Sequence, residues 1–232
     1  MTRGIGVAVA IVLVCLRAAA VAGQEAPCAE FQVNTHTTFT QQRPAVASAP
    51  NGDFVVVWEG YQQEGSGGAI VGRRYDASGS PRGGEFIVSN ISVGVLKNPA
   101  VAMDASGRFV VVWRGPNDSP FTGIFGRRYD AAGTAEGPAF QVNTYITISQ
   151  TYPAVAADET GNFVVVWQSH DQDGDEDGIF GQRYDSTGAR QGTEFQVNVH
   201  TTGDQVSPAV SLHPLGFVVV WTGQGGNGSG AA

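Results

Sequence analysis

Short apolar runs recur along this chain at a nearly constant interval. The segment Phe-Val-Val-Val-Trp occurs four times and closes at Trp58, Trp113, Trp167 and Trp221, which are 55, 54 and 54 residues apart. Each run is apolar on both faces of an extended chain, which predicts an inner β-strand covered on both sides. Self-similarity at a fixed period predicts tandem copies of one structural unit.

Each unit carries three further segments with the pattern of a strand. A Pro-Ala-Val segment, such as residues 153–157, precedes the apolar run, and a turn containing a glycine such as Gly161 connects the two. An Arg-Tyr-Asp segment follows and ends in an Asp-x-x-Gly turn. A Phe-Gln-Val-Asn segment comes fourth, with Phe and Val on one face and Gln and Asn on the other. The sequence therefore predicts an all-β fold of four-stranded units.

A sheet of this size, apolar on both faces, needs neighbours to cover it. Ordering each residue costs on the order of 1–2 kcal/mol, so one unit does not bury enough surface alone. Radial stacking of four-stranded sheets as β-propeller blades meets this need. A linear β-solenoid and tandem sandwich domains are alternatives, but a sandwich domain needs roughly 100 residues. We expect β-propeller-like tandem blades, three of them complete and one partial.

The N-terminal residues have the pattern of a secretory signal. A short basic start and an apolar run, residues 4–16, precede small residues suited to cleavage, and this run is too short to span a bilayer. We expect a secreted protein, extracellular or periplasmic, with a signal peptide at 1–22, a leader at 23–29, repeats at 30–222 and a Gly-rich tail at 223–232. The expected units span about 30–84, 85–138, 139–193 and, for the partial unit, 194–222.

The repeat resembles a bacterial secreted family of β-propeller type. The resemblance rests on Phe-Gln-Val-Asn-Thr, Pro-Ala-Val-Ala-x-Asp, Gly-Asn-Phe-Val-Val-Val-Trp and Gly-Ile-Phe-Gly-Gln-Arg-Tyr-Asp, which residues 140–188 match nearly throughout. The Asp-x-x-Gly-x-Phe hairpin is similar to that of NHL-type propellers. The resemblance implies a secreted or surface location and says little about activity.

Charge narrows the range of partners. The chain has a net charge of −8, and the part after residue 22 carries 11 basic and 21 acidic residues, a net charge of −10. Lys97 is the only lysine. Nucleic acid is a poor partner, because its binding needs a dense basic surface. An extracellular protein or a glycan is the expected partner. Cys28 is the one cysteine after the predicted signal peptide, whereas secreted proteins usually pair their cysteines.

The last unit is incomplete in the sequence. It stops after Trp221 and has no Arg-Tyr-Asp segment, whereas residues 31–34 form a fourth-strand segment with no unit before it. Two interpretations follow. Either the chain is a piece of a longer protein, which would also account for an unpaired Cys28, or residues 31–34 complete the last unit and close a small four-bladed ring.

One loop carries a candidate metal site. Residues 171–177 contain five acids, and the predicted ligands are Asp171, Asp173, Asp175 and Asp177. The spacing Asp-x-Asp-x-Asp-Gly matches the opening of a calcium loop, in which alternate carboxylates converge on one Ca²⁺ ion. The glutamate that closes an EF-hand loop is replaced by Tyr184. A solvated acidic turn is the alternative.

Catalytic motifs are absent from the sequence: there is no Gly-x-Ser-x-Gly, no His-Glu-x-x-His and no Cys-x-x-Cys. Features shared by every unit are expected to be structural, such as Arg74, Arg128 and Arg183, predicted to form ion pairs with the aspartate two residues later. We expect a secreted repeat scaffold that binds an extracellular protein or glycan, with one weak Ca²⁺ site. The alternatives are a propeller hydrolase or lyase acting on polysaccharide, or a truncated piece without function.

Overall fold

The computed structural model describes residues 11–13, 30–61, 68–91, 96–117, 121–213 and 215–223. These residues form sixteen β-strands: β1 (Ile11–Leu13), β2 (Glu30–Gln32), β3 (Gln41–Ser48), β4 (Phe54–Gly60), β5 (Gly68–Tyr75), β6 (Phe86–Ile91), β7 (Lys97–Met103), β8 (Phe109–Pro116), β9 (Thr122–Tyr129), β10 (Phe140–Gln141), β11 (Gln150–Ala157), β12 (Phe163–His170), β13 (Asp177–Tyr184), β14 (Arg190–Gln196), β15 (Gln205–His213) and β16 (Gly216–Gly223). The part of the chain that is described contains no helix long and apolar enough to cross a membrane.

Three four-stranded antiparallel sheets follow one another along the chain. Blade 1 is β3–β6, blade 2 is β7–β10 and blade 3 is β11–β14, while β15 and β16 form a two-stranded sheet, here called the last hairpin. The strand order is the same in all three blades. The Pro-Ala-Val strand pairs with the Phe-Val-Val-Val-Trp strand, this strand pairs with the Arg-Tyr-Asp strand, and the fourth strand, Phe-Gln-Val-Asn or in blade 1 Phe-Ile-Val-Ser, pairs with the third. The predicted all-β fold of tandem four-stranded units is confirmed.

Neighbouring blades share continuous apolar cores. One core joins Val57 of blade 1 to Trp113 of blade 2, and a second joins Val112 of blade 2 to Trp167 of blade 3. Both tryptophans are at most 2% exposed. Each central strand is therefore covered on its two faces by adjacent sheets, as side-by-side stacking of blades requires.

The Phe-Gly step of the third strand has a packing reason. A Cβ atom on Gly126 would lie 2.8 Å from the ring of Phe140, so only glycine fits beneath that ring. The ring of Phe140 contacts the ring of Tyr184 in blade 3 at a centroid distance of 5.6 Å. Tyr184 stacks on Phe163 at a centroid distance of 4.6 Å. Glycine thus lets the fourth strand of one blade press an aromatic ring against the next blade.

The segment before blade 1 packs as an outer strand. Glu30–Gln32 pairs with Ile11–Leu13, which lies within the predicted signal peptide. Phe31 contacts Tyr75 of blade 1 at 5.3 Å, as Phe86 of blade 1 contacts Tyr129 of blade 2 at 5.4 Å. The segment takes the place of a preceding fourth strand and does not complete the last hairpin, so the proposed closure of a four-bladed ring by residues 31–34 is wrong. Cys28 lies outside the described residues, as do the ends of the predicted signal peptide and most of the Gly-rich tail.

The arginines of the Arg-Tyr-Asp segments connect one blade to the next. Arg74 donates a hydrogen bond to the carbonyl oxygen of Ala131 at 2.7 Å, and Arg128 donates one to the carbonyl oxygen of Ser186 at 2.9 Å. Asp76 instead accepts hydrogen bonds from two backbone N–H groups of its own turn. The predicted ion pair between Arg74 and Asp76 is therefore wrong, because the guanidinium reaches across to the neighbouring turn.

Buried tyrosines are expected to make the fold sensitive to alkali. Burial raises the pKa of Tyr184 from 10.0 to about 12. The folded chain then keeps a proton that the unfolded chain loses, so stability should fall as the pH rises from 10 to about 12. The hydroxyl of Tyr184 has no hydrogen-bond partner in the described structure, so Tyr184→Phe should remove part of this fall at little cost near neutral pH.

Denaturant unfolding at a series of pH values measures how much stability the parent and Tyr184→Phe each lose as the pH rises. Tyr75→Phe is the matched control, because the Tyr75 hydroxyl donates a hydrogen bond to the carbonyl oxygen of Val33 at 3.0 Å. Its loss should cost about 1 kcal/mol already at neutral pH. Equal pH profiles for Tyr184→Phe and the parent would contradict the prediction.

Candidate functional site

Every first strand carries a β-bulge directly before its proline. The register of the strand pair shifts at this point in all three blades and in the last hairpin. The pre-proline residues have left-handed backbones, with φ of 51° at Arg43, 54° at Asn98, 48° at Tyr152 and 56° at Ser207. None of them is glycine, and such conformations cost about 1–3 kcal/mol each. The fold therefore holds the same strain at four equivalent positions.

These four residues meet around one axis. Together with the prolines that follow them, they line a cavity of about 260 Å³, here called the axial cavity. The first strands of successive sheets lie side by side, β3 next to β7, β7 next to β11 and β11 next to β15. Equivalent positions in the four units are brought together for that reason.

The four pre-proline residues that line the axial cavity share one backbone conformation, but their side chains differ in chemistry from unit to unit. The four side chains are a guanidinium, a carboxamide, a phenol and a hydroxyl, and each is able to donate hydrogen bonds. Tyr152 is 46% exposed, so its ring offers an apolar face as well as a polar tip. None of the eight described residues that line the cavity is Asp or Glu. The cavity is thus suited to a ligand rich in hydroxyl groups.

A buried carboxylate supports one wall of the axial cavity. Glu59 is 0% exposed. Its side chain accepts hydrogen bonds from Nε2 of Gln42 at 2.9 Å and from the backbone N–H of Asn98 at 2.7 Å. The guanidinium of Arg43 lies 3.3 Å from the same carboxylate. Glu59 therefore fixes Arg43 of blade 1 and Asn98 of blade 2, two of the four cavity residues.

The sequence patterns above do not identify Glu59, although one signal was available. The residue after the repeated tryptophan is acidic only in the first unit, and the equivalent residues are Glu59, Arg114, Gln168 and Thr222. A position that varies within an otherwise regular repeat indicates that its residue has a role in its own unit and not in the shared fold. The partners of Glu59 come from two blades, so its role depends on how the blades pack.

The predicted calcium ligands lie on the loop that joins β12 to β13 and on the first residue of β13. They are Asp171, Asp173, Asp175 and Asp177. Asp173 accepts a hydrogen bond from Asn198 at 2.8 Å, and Asp175 accepts one from the backbone N–H of Gly203 at 3.0 Å. Asp177 accepts one from Gln168 at 2.7 Å. Across the described ranges, no group of three or more His, Cys, Asp or Glu residues is placed to hold a metal ion. Calcium binding stays a prediction.

Comparison with known proteins identifies the class of fold. No protein-family model matches this chain, and no curated protein does. Among solved structures, a Penicillium chrysogenum alpha-L-arabinanase complexed with arabinobiose matches with a TM-score of 0.54 and 16% identity, over 79% of this chain and 59% of that one. A Dyadobacter fermentans protein of unknown function matches with a TM-score of 0.55 and 13% identity, over 78% and 62% of the two chains.

A Hadza microbial sialidase is a third solved structure that matches this chain. It matches with a TM-score of 0.52 and 15% identity, over 73% of this chain and 39% of the sialidase. The chain thus has a β-propeller-type fold, which it shares with propeller glycoside hydrolases. It spans less than two thirds of the length of each of these three structures.

Proposed function

We propose that the axial cavity binds a saccharide chain outside the cell. The observation that carries the proposal is the convergence of Arg43, Asn98, Tyr152 and Ser207, all held in a strained backbone conformation, on one cavity. Strain of this kind lowers stability and persists where the surrounding structure enforces it, which is typical of ligand sites. A polar lining with one exposed aromatic ring fits a sugar, which presents hydroxyl groups at its rim and C–H groups on its faces.

Binding is favoured over hydrolysis as the task of this cavity. Glycoside cleavage normally uses two carboxyl groups on either side of the scissile bond. The described lining holds no carboxylate, and the nearby Glu59 is buried and hydrogen-bonded to Gln42, Arg43 and Asn98. The arabinanase and the sialidase with the same fold are named for activities on saccharides, which supports a glycan as the ligand class. An extracellular hydrolase is the second candidate.

The test is binding of polysaccharides to the protein and two variants, measured by isothermal titration calorimetry. Tyr152→Ala should weaken binding about tenfold or more, because it removes the largest apolar contact and one hydroxyl donor. Ile146→Ala is the matched control, because Ile146 is 51% exposed, compared with 46% for Tyr152, and does not line the cavity. Equal losses in both variants, or none in Tyr152→Ala, would contradict an axial site.

The hydrolase alternative has its own readout. Products released from a bound polysaccharide, and lost in Glu59→Gln while binding is retained, would show that the cavity is catalytic. A site that only binds is expected to release no products, and Glu59→Gln is then expected to weaken binding, because Glu59 fixes Arg43 and Asn98.

We propose calcium binding at residues 171–177 as a separate property of the protein. Asp173 and Asp175 each already accept a hydrogen bond through one carboxylate oxygen, from Asn198 and Gly203, which agrees with a weak site. Millimolar Ca²⁺ should then raise the melting temperature by a few degrees in the parent and not in Asp175→Asn. The same melting curve with and without Ca²⁺ would end this proposal.

A further inference from the structure

The last hairpin exposes residues that are buried in the blades. Val218 is 67% exposed, Val220 60% and Trp221 39%. The equivalent residues of blade 2 are Val110, Val112 and Trp113, which are 4%, 0% and 2% exposed. The sequence of the strand is the same in both places, so the difference comes from what covers it.

The outer edge of β16 is also open in the described structure. The central strands β4, β8 and β12 each pair on both sides, whereas β16 pairs with β15 alone. The residues Gly216–Gly223 include no charged side chain and no proline. Native sheets usually protect an exposed edge with such residues or cover it. This edge has the character of a strand that receives a partner.

Arg183 marks the place of the missing partner. Arg74 and Arg128 donate hydrogen bonds to the carbonyl oxygens of the Asp-x-x-Gly turn in the next blade. Arg183 is their equivalent in blade 3, it is exposed, and its guanidinium has no hydrogen bond or ion pair among the described residues. A group built to bind turn carbonyls therefore faces a position where the described chain supplies no turn.

The space beside Arg183 is much larger than its equivalent between blades 2 and 3. There the corresponding cavity is only about 20 Å³, and Ser186 of the next turn is among its lining residues. Between blade 3 and the last hairpin the cavity is about 420 Å³ and is lined by Arg183, Tyr184, His213 and Phe217 among others. The cavity reaches β16 itself, since Gly216 and Phe217 are also among its lining residues.

We propose that this surface, formed by β16, Arg183 and the adjoining cavity, docks a β-hairpin of the third-and-fourth-strand type. An Arg-Tyr-Asp strand pairs with the free edge of β16, its Asp-x-x-Gly turn fills the cavity and receives the Arg183 guanidinium, and a Phe-Gln-Val-Asn strand lies outside it. The occupant is inferred from the junction of blades 2 and 3, where a hairpin of this type pairs with the edge of β12 and its turn accepts a hydrogen bond from Arg128.

A synthetic peptide with the sequence of residues 177–198, which forms the β13–β14 hairpin, is the probe. It contains no tryptophan, so tryptophan emission reports on the protein alone. We expect saturable one-to-one binding by calorimetry, with a shift of the emission to shorter wavelength as Trp221 is covered. Trp221→Phe should lose the emission shift and retain binding.

Two arginine variants make the test specific. Arg183→Ala should weaken binding of the peptide about tenfold, since it removes charged hydrogen bonds to the turn, and should leave the stability of the free protein nearly unchanged. Arg74→Ala removes the same side chain where its turn is present, so it should lower stability and leave the affinity for the peptide unchanged.

Three results would overturn the proposal. A scrambled peptide that binds as well as the probe would show unspecific adhesion to the apolar face. Unchanged affinity of Arg183→Ala for the peptide would show that Arg183 does not bind the turn of the hairpin. Self-association that the peptide does not compete with, seen by analytical ultracentrifugation, would show that a second copy of the chain covers this surface.

Discussion

Replacement of Trp113 by alanine is expected to lower the free energy of unfolding by about 3–5 kcal/mol, as for other large buried aromatic residues. Trp113 is 2% exposed and belongs to the core that joins blade 1 to blade 2, where it packs with Val57 and Ile70. Its removal opens a cavity between two sheets, so the loss includes contacts on both sides. Denaturant unfolding followed by circular dichroism measures the change without relying on tryptophan emission.

Trp221 provides a control at the same position of the repeat. It is 39% exposed, and in the described structure β16 lacks the third strand that pairs with the central strand of each blade. Trp221→Ala should therefore cost about 1 kcal/mol or less, in line with the smaller apolar area that it buries. Similar costs for the two substitutions would show that burial of the tryptophan does not determine what it contributes to stability.

The second large effect concerns a buried amide pair between blades 2 and 3. The amide nitrogen of Asn143 donates to Oε1 of Gln150 at 2.9 Å, and the two residues are 3% and 0% exposed. Gln150→Leu should cost about 1–3 kcal/mol, because it removes the acceptor and leaves buried polar groups with fewer partners. Equilibrium unfolding of the single variants measures this cost.

The repeat itself supplies the matched double variant. At the junction of blades 1 and 2 the equivalent residues are Ser89 and Leu96, and Leu96 is 2% exposed. In that blade β6 continues to Ile91, whereas β10 of blade 2 ends at Gln141 and Asn143 accepts a hydrogen bond from the backbone N–H of Ile124 instead. Asn143→Ser with Gln150→Leu should therefore cost less than the sum of the single changes, by about 0.5 kcal/mol or more. Additive costs would contradict a coupled pair.

Much of the fold follows from local sequence patterns. Strand pairs within one blade are close in sequence, and their alternating or fully apolar patterns are visible in any single unit. The four-stranded unit, its strand order and the incomplete last unit were predictable for that reason. The direction of the arginine side chains was not, because spacing along one strand places Arg74 and Asp76 on the same face and contains no information on the neighbouring blade.

The axial cavity could not be predicted from the sequence for a related reason. Arg43, Asn98, Tyr152 and Ser207 lie 54 or 55 residues apart, and they meet only because the blades stack side by side. Their left-handed backbones were equally hidden, because the residue before a proline is expected to be extended. The acidic loop was predicted to bind calcium because of its density of charge. In the structure three of its carboxylates accept hydrogen bonds from three different residues.

Constant backbone and variable side chains explain how a repeat protein acquires a site. The Pro-Ala-Val segment and the bulge before it are the same in all four units, so they set the position of the side chains that face the cavity. The pre-proline residue differs in each unit, so in the proposed site changes at this position would alter the ligand while the repeated backbone is kept. This division agrees with a scaffold that presents a binding surface.

The distance between the first and the last pre-proline position tests the stacking of the units around one axis most directly. Spin labels at Arg43→Cys and Ser207→Cys, in a chain whose own cysteines are replaced by serine, allow its measurement by pulsed electron paramagnetic resonance. Both residues line one cavity of about 260 Å³, so we predict a narrow distribution of short distances. A separation of about 30 Å or more, which three steps of roughly 10 Å between stacked sheets in a linear array would give, would contradict the account.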